Sequence, residues 1–339
     1  MIFTIVIALT FFSGALWADS GSLSFIEGQV TLEKAGAGQQ IAVIGDPVQV
    51  GDTVYTGSDG FAEISLTSGS IISIQAGSVF NVGEVSDPEA ESRKRGFFRV
   101  LLGNVAFKFR NLTQEPDVGT PLAVCSVRGT DFTVYTAPDG ASMTVVSDGL
   151  VEVSSGGEST LLAADEGVEV VAGLGLGEPF DAKTGIVRYD AFVSQALTRI
   201  ENSPSDTLIS YTELLQDYIV EGEYFLESHD TNMEELVAAK AELVEIRSSK
   251  GDEAANTYIV DILGPLQERG LELNSTYRFH FISAFYMRRY VVSSIYVHMR
   301  TVYLTETDNH VWTDFTKVYI EILELYEKRL MPLLEVEDL

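Results

Sequence analysis

One change of period constrains this chain more than any other feature. From Leu23 to about Pro179 the apolar residues alternate by twos, and beyond a glycine cluster they recur every three to four positions. A period of two places alternate side chains on one face of a strand. A period of 3.6 places them on one stripe of a helix. The break falls in "GLGLGEPFDAKTG", Gly173 to Gly185, where glycines and then a proline interrupt both patterns. With 339 residues there is enough chain for two separate cores. The expected architecture is an all-β domain over residues 23–179, sandwich-like or jelly-roll-like, followed by an α-helical bundle over residues 180–339.

In the first half "FAEISL" spaces Ala62, Ile64 and Leu66 by twos, and "NVAFKF" does the same with Val105, Phe107 and Phe109. Met143 with Val145, and Val151 with Val153, continue the pattern. Ser58-Asp59-Gly60, Thr67-Ser68-Gly69, Pro138-Asp139-Gly140 and Ser147-Asp148-Gly149 punctuate it as turns, which predicts hairpins. "GDTVYTGSDGFAEISLTSGSIISI" also echoes "GTDFTVYTAPDGASMTVVSDGLVEV", as two related β-subunits would. In the second half Leu208, Tyr211, Leu215, Tyr218 and Ile219 share a helical stripe, and a new helix is expected to open on Thr231 or Asn232. Tyr277, Phe281, Phe285, Val292, Ile295, Met299 and Tyr303 mark another helix. A last one starts at an acidic cap near Asp308 and stops before Pro332.

The formal charge of −28 argues against nucleic acid as a partner, because phosphate backbones are held through lysine and arginine. The stretch "MIFTIVIALTFFSGALWADS" is apolar from Ile2 to Phe12 apart from two threonines, then turns to small residues. It reads as a signal peptide over residues 1–18, with an uncleaved anchor as the alternative, and it places the chain in the periplasm or outside the cell. No later run is long enough to cross a bilayer, so no stable span is expected once the signal is removed. The lone Cys125, in "LAVCSVRG", is expected to be a buried apolar residue.

No HExxH, phosphate-binding Gly-Lys-Ser/Thr loop, paired CxxC or Gly-x-Ser-x-Gly elbow occurs. We therefore expect no catalytic residues, no metal and no cofactor, and a chain that binds rather than catalyses. A glycan-acting enzyme with unmarked carboxylates is a further alternative. The Asp-Gly turns lie too far apart in sequence to suggest a calcium site. One segment reverses the acidic character. Tyr277 to Met299 carries Arg278, Arg288 and Arg289, with Arg300 at its edge, and no acid. These arginines pair with acidic bundle neighbours such as those of "NMEEL" or "EILELYE", or they form a surface for an anionic partner.

"SVRGTDFTVY", Ser126 to Tyr135, contains a phase change. Apolar residues fall on odd numbers before it (Ala123, Cys125, Val127) and on even numbers after it (Phe132, Val134). A strand cannot keep one buried face through such a slip, so a bulge or kink is expected at Arg128-Gly129-Thr130. Arg128, with five donors, is suited to lock that kink through backbone carbonyls.

"TPLAVCSVRGTDFTVY" resembles the signature of the FecR domain family, Thr-Pro-x-Ala followed by Val-Arg-Gly-Thr-x-Phe-x-Val. Thr120, Pro121, Arg128, Gly129, Thr130 and Phe132 stand at its positions. "GQV", "VGDTVYTGSDGFAEISLTSGSIISI", "LLGNVAFKF", "SDGLVEV" and "LAADEGVEV" follow the order of that family's other blocks, so the resemblance runs from about Phe25 to Val171. It implies an extracytoplasmic all-β module, which in founding members relays a signal from an outer-membrane transporter to a sigma factor. Those members have a cytoplasmic part and a membrane span where this chain has the expected signal peptide. The expectation therefore turns to envelope scaffolding, or recognition of an envelope protein or cell-wall glycan. The alternative is a signalling component acting with a separate membrane regulator. Mass spectrometry of the exported chain should find the mature N-terminus between Leu16 and Asp19; an intact Met1 would indicate a retained anchor.

Overall fold

A computed structural model describes residues 21–86, 94–111, 116–183 and 189–336. The expected signal peptide lies outside the described residues. Strands come first: β1 (Gly21–Glu27), β2 (Val30–Lys34), β3 (Gly38–Ile41), β4 (Pro47–Val48), β5 (Thr53–Thr56), β6 (Phe61–Leu66), β7 (Ile71–Ile74) and β8 (Val79–Ser86). The long β9 (Lys94–Lys108), short β10 (Asp117–Gly119) and long β11 (Val124–Thr136) and β12 (Ser142–Ser155) follow. Then come β13 (Glu158–Ala163), β14 (Glu166–Val171), β15 (Gly175–Leu176) and β16 (Phe180–Asp181). The sheet-rich part is followed by helices. These are α1 (Tyr189–Asn202), α2 (Pro204–Lys250), α3 (Asp252–Tyr258), α4 (Gly264–Tyr286), α5 (Ser293–Val302), α6 (His310–Leu325) and α7 (Met331–Val336), with π-helical turns at Ile259–Leu263, Met287–Val292 and Tyr326–Leu330.

The long strands organise the barrel-like sheet by changing neighbours along their length. The first half of β9 pairs antiparallel with β8 and, over three residues, parallel with β10. Its second half pairs with β7 and β11. The alternating residues of the sequence other than Met143 and Val145 line one core, in which Phe80, Phe98, Phe107, Phe109 and Phe132 pack ring on ring. Phe107 and Phe132 stack with centroids 5.0 Å apart. Cys125 is buried there beside Thr144, and burial pushes its thiol up to about 12.

The phase change in β11 is a bulge. Arg128 faces Leu150, the next paired residue is Asp131 facing Asp148, and Phe132 then faces Val146. Gly129 turns through it with a φ of +59°. This also explains a difference from the sequence reading. Ser147-Asp148-Gly149 is not a turn but the opposite side of the same irregularity, inside β12. The internal echo does not extend to pairing either. Pro138-Asp139-Gly140 joins the hairpin β11–β12, whereas the strands flanking Ser58-Asp59-Gly60 pair elsewhere, β5 with β2 and β8, β6 with β1 and β7.

The helices are longer than the sequence suggested. Thr231 and Asn232 do not start a helix; α2 runs through them for 47 residues, about 70 Å at 1.5 Å per residue. Asn232 is buried and donates to the Leu266 carbonyl of α4. At the other end Asn309, not Asp308, caps α6 by accepting from Val311 N at 2.9 Å. The helical chain does not stop before Pro332 but continues through it, by way of the π-turn at Tyr326–Leu330 into α7. A second core forms along α2, α4, α5 and α6 around Tyr211, Leu215, Phe281, Ile295 and Phe315. A small third cluster straddles the two parts, with Ala137, Ala141 and Met143 of the hairpin against Phe192 and Ala196 of α1.

Gly222 sets the approach of α2 to α4. A methyl group there would stand 2.4 Å from Cε1 of the fully buried Phe281. Alanine would gain about 1 kcal/mol of helix propensity. Forcing extra volume against a locked ring costs about 1–3 kcal/mol, more where relaxation is blocked. Gly222→Ala should therefore lower the melting temperature, and a higher one would show that the two helices can separate without penalty.

Candidate functional site

Polar groups meet across the seam between the sheet and the helices at three places. The first is the Pro138-Asp139-Gly140 turn. Asp139 is buried; its Oδ2 accepts from Arg199 Nε of α1 at 2.7 Å and its Oδ1 from Ala141 N at 3.1 Å. The Asp139 carbonyl also accepts from the hydroxyl of the fully buried Tyr211 of α2. Gly140, at φ +76°, allows this, since a Cβ there would lie 2.1 Å from the Tyr211 oxygen. One hairpin tip is thus held by two helices.

The second place joins β2 and β5 to the π-turn at Met287–Val292. Arg289 makes a two-pronged bond to Glu33, Nη1 to Oε1 at 3.1 Å and Nη2 to Oε2 at 3.0 Å. The Tyr55 hydroxyl donates to the same carboxylate and meets that of Tyr290. The π-turn fits six residues where the regular helix would not keep its phase. Val291 and Val292 stay in the helical core while Arg289 and Tyr290 reach across to the sheet. Burial acts to raise the Glu33 carboxyl, but the bonds from Tyr55 and Arg289 outweigh it and hold it below its usual value. Burial, reinforced by Glu33, pushes Tyr55 up to about 12.

The third place is a cleft of about 390 Å³ bounded by β9, the turn from Gly119 to Val124, the hairpin tip near Gly156, and the helices at Tyr218, Phe279, Ser283 and Tyr286. Arg99 lines it and is 6% exposed. Among the described residues no carboxylate pairs with it. Among the described residues its one hydrogen bond is from Nη1 to Asn81 Oδ1, at a long 3.3 Å. The guanidinium lies over Phe97 at 4.5 Å, Phe279 at 5.5 Å and Tyr286 at 6.0 Å. Burial brings it down to about 10. Asn81, also buried, is held by its donations to the Asp52 carbonyl, Thr53 Oγ1 and Tyr286 Oη. Removing a guanidinium from water costs several kcal/mol, while an aromatic face returns about 0.5–2 kcal/mol. A buried cation with no anion bonded to it among the described residues is therefore conspicuous in a chain of charge −28.

The residues singled out from sequence fall as follows. Thr120 and Pro121 form the turn that edges the cleft, with Thr120 Oγ1 accepting from Ala123 N at 2.9 Å. Phe132 belongs to the phenylalanine core. Thr130 is buried, and its hydroxyl has no bonded partner among the described residues. The side chain of Arg128 lies outside the described residues. Arg289 pairs with Glu33 of the sheet and not with the bundle acids expected for it. Arg288 lies over Tyr326 and donates to Ser293. Arg278 is half-buried, and Arg300 is exposed on α5. Sequence reasoning missed Arg99, Asn81, Glu33, Tyr55, Asp139, Arg199 and Tyr286. Only Arg99 leaves a local trace, as a single cation inside the apolar run "FFRVLL". Among the described residues, no cluster of histidine, cysteine, aspartate and glutamate is arranged to hold a metal ion, and no helix is long and apolar enough to cross a membrane.

The segment that builds the cleft's sheet wall is the one that known proteins share. Residues 52–152 match the FecR protein family. The match takes in β5 to β12, hence Asn81, Arg99, the Thr120 turn and Asp139, while Glu33 and the helices lie outside it. No curated protein matches the chain. Two crystal structures of a putative anti-sigma factor from Parabacteroides distasonis ATCC 8503 are similar over 38% of this chain, at 20% identity and a TM-score of 0.31. The chain spans 57% of the length of each. A cell surface anchoring domain is similar over 17% of this chain and 78% of its own, at 29% identity and a TM-score of 0.17.

The Glu33 contact carries a pH dependence. Its folded-state carboxyl titrates below the unfolded one, so its contribution is complete above the unfolded value and is lost as pH falls through the folded value. Glu33→Gln should melt below the parent protein at neutral pH, with the difference shrinking as the solution is acidified through the carboxylate range. A difference that stays constant with pH would mean that the ion pair contributes nothing.

Proposed function

We propose that this is an extracytoplasmic, non-catalytic recognition protein of envelope signalling, in which the helical part reads the state of a FecR-like module. The observation that carries this is the seam. The FecR-matching strands supply Asp139 and the Arg99 wall, and the helices grip both. Any ligand or partner that displaces one part must act on the other, which is what a relay requires. The periplasmic or secreted location, the boundary near residue 179 and the absence of catalysis belong to this reading. So do the finer descriptions of the two parts. The sandwich reading is supported by long strands that change neighbours halfway, and the bundle reading by α2 packing along α4 and α6.

Scaffolding on the cell wall is the competing use of the same module. The mature chain as bait in detergent-solubilised envelope extract should recover a membrane regulator, and recovery should fall when Asp139→Ala loosens the hairpin from the helices. Sedimentation with purified cell wall, with no membrane protein recovered, would replace signalling with scaffolding.

A further inference from the structure

We propose that the Arg99 cleft is a binding site for a carboxylate carried on an apolar or aromatic body. Three features point to that chemistry together. The cleft holds a cation that is almost wholly buried and has no carboxylate bonded to it among the described residues. A guanidinium offers five donors in a planar fork that matches a carboxylate, and among the described residues its one bond is the long one to Asn81. Phe97, Phe279 and Tyr286 flank the cation, while the cleft's lining at the β12–β13 tip is polar, with Ser154, Ser155, Glu158 and Ser159, so a ligand whose carboxylate reaches Arg99 meets aromatic faces beside that group. The volume, about 390 Å³, lies within the range of roughly 300–1,000 Å³ usual for small-ligand sites.

The site is also built to stay open. A Cβ at Gly119 would stand 2.6 Å from Phe97 Cζ, so a side chain there would push the ring that floors the guanidinium. Asn81, whose Nδ2 has three acceptors within hydrogen-bond reach for its two hydrogens, turns its Oδ1 toward Arg99 and adds no charge to neutralise it. Tyr218 and Ser283 of the helices line the opposite wall, so an occupant touches both parts of the molecule at once. Binding there would give the recognition reading a chemical input. It is measured on the purified chain, so a failed partner capture and a failed titration are separate results.

The same carboxylate could be a free organic acid or the C-terminus of a peptide, and the probes separate them. Titration calorimetry with 3-phenylpropionate, its neutral amide, and acetyl-Gly-Phe as the free acid should be run at roughly physiological salt, where the Debye length is about 8 Å and the chain's overall charge is largely screened. At least one acid should bind and the neutral amide should not. Tighter binding of the dipeptide acid assigns the site to peptide ends, and tighter binding of the simple acid to small metabolic acids. Arg99→Met should weaken binding by at least about tenfold and leave the melting temperature of the unliganded chain unchanged or raised. Ser283→Phe, which adds bulk to the helical wall of the cleft and leaves Arg99 in place, should block binding while the chain stays folded. Binding of the amide as strong as that of the acids would overturn the proposal. So would no binding by either acid, or an Arg99→Met chain that melts well below the parent, the mark of a purely structural arginine.

Discussion

The structure depends on a hairpin tip being held from outside its own sheet. Asp139 is nearly removed from water, and an ionised carboxylate there is tolerable only because Arg199, Ala141 N and the turn geometry satisfy it. Tyr211 closes the arrangement from a second helix. Each partner is itself anchored in a core, Tyr211 in the large helical cluster and the hairpin in the cluster shared with α1. This contact, more than the apolar area alone, fixes where the helices sit on the sheet. The Glu33–Arg289 pair and the Arg99 cleft follow from that placement.

Seen this way, the π-turn at Met287–Val292 has a clear role. A regular helix that kept Val291, Val292 and Ile295 in its core could not also direct Arg289 and Tyr290 at Glu33 and Tyr55. The extra residue per turn resolves the conflict at the point where α4 passes the sheet. Tyr286 and Phe279, on the preceding turns, then cover the Arg99 wall. One local irregularity serves both the ion pair and the cleft.

What was legible in the sequence was local. The change of period marked the passage from sheet to helices, and the odd-to-even slip around Arg128-Gly129 marked the bulge, because both are properties of neighbouring residues. The seam was not legible, because its pairs are distant: Asp139 and Arg199 are 60 residues apart, and Glu33 and Arg289 are 256 apart. Pro138-Asp139-Gly140 looked like any other turn, and Ser147-Asp148-Gly149 looked the same while being part of a bulge. In the arginine-rich segment, Arg289 found its acid in the sheet and not in the bundle. Arg99 announced itself only by interrupting "FFRVLL", which says that a cation is buried but not what faces it.

The central claim is that sheet and helices behave as one unit joined at Asp139. Scanning calorimetry of the full chain and of Asp139→Ala tests it most directly. A single transition in the parent protein that splits into two in the variant, the helical part melting first, is the predicted result. Two independent transitions in the parent protein, or an unchanged single transition in the variant, would contradict it.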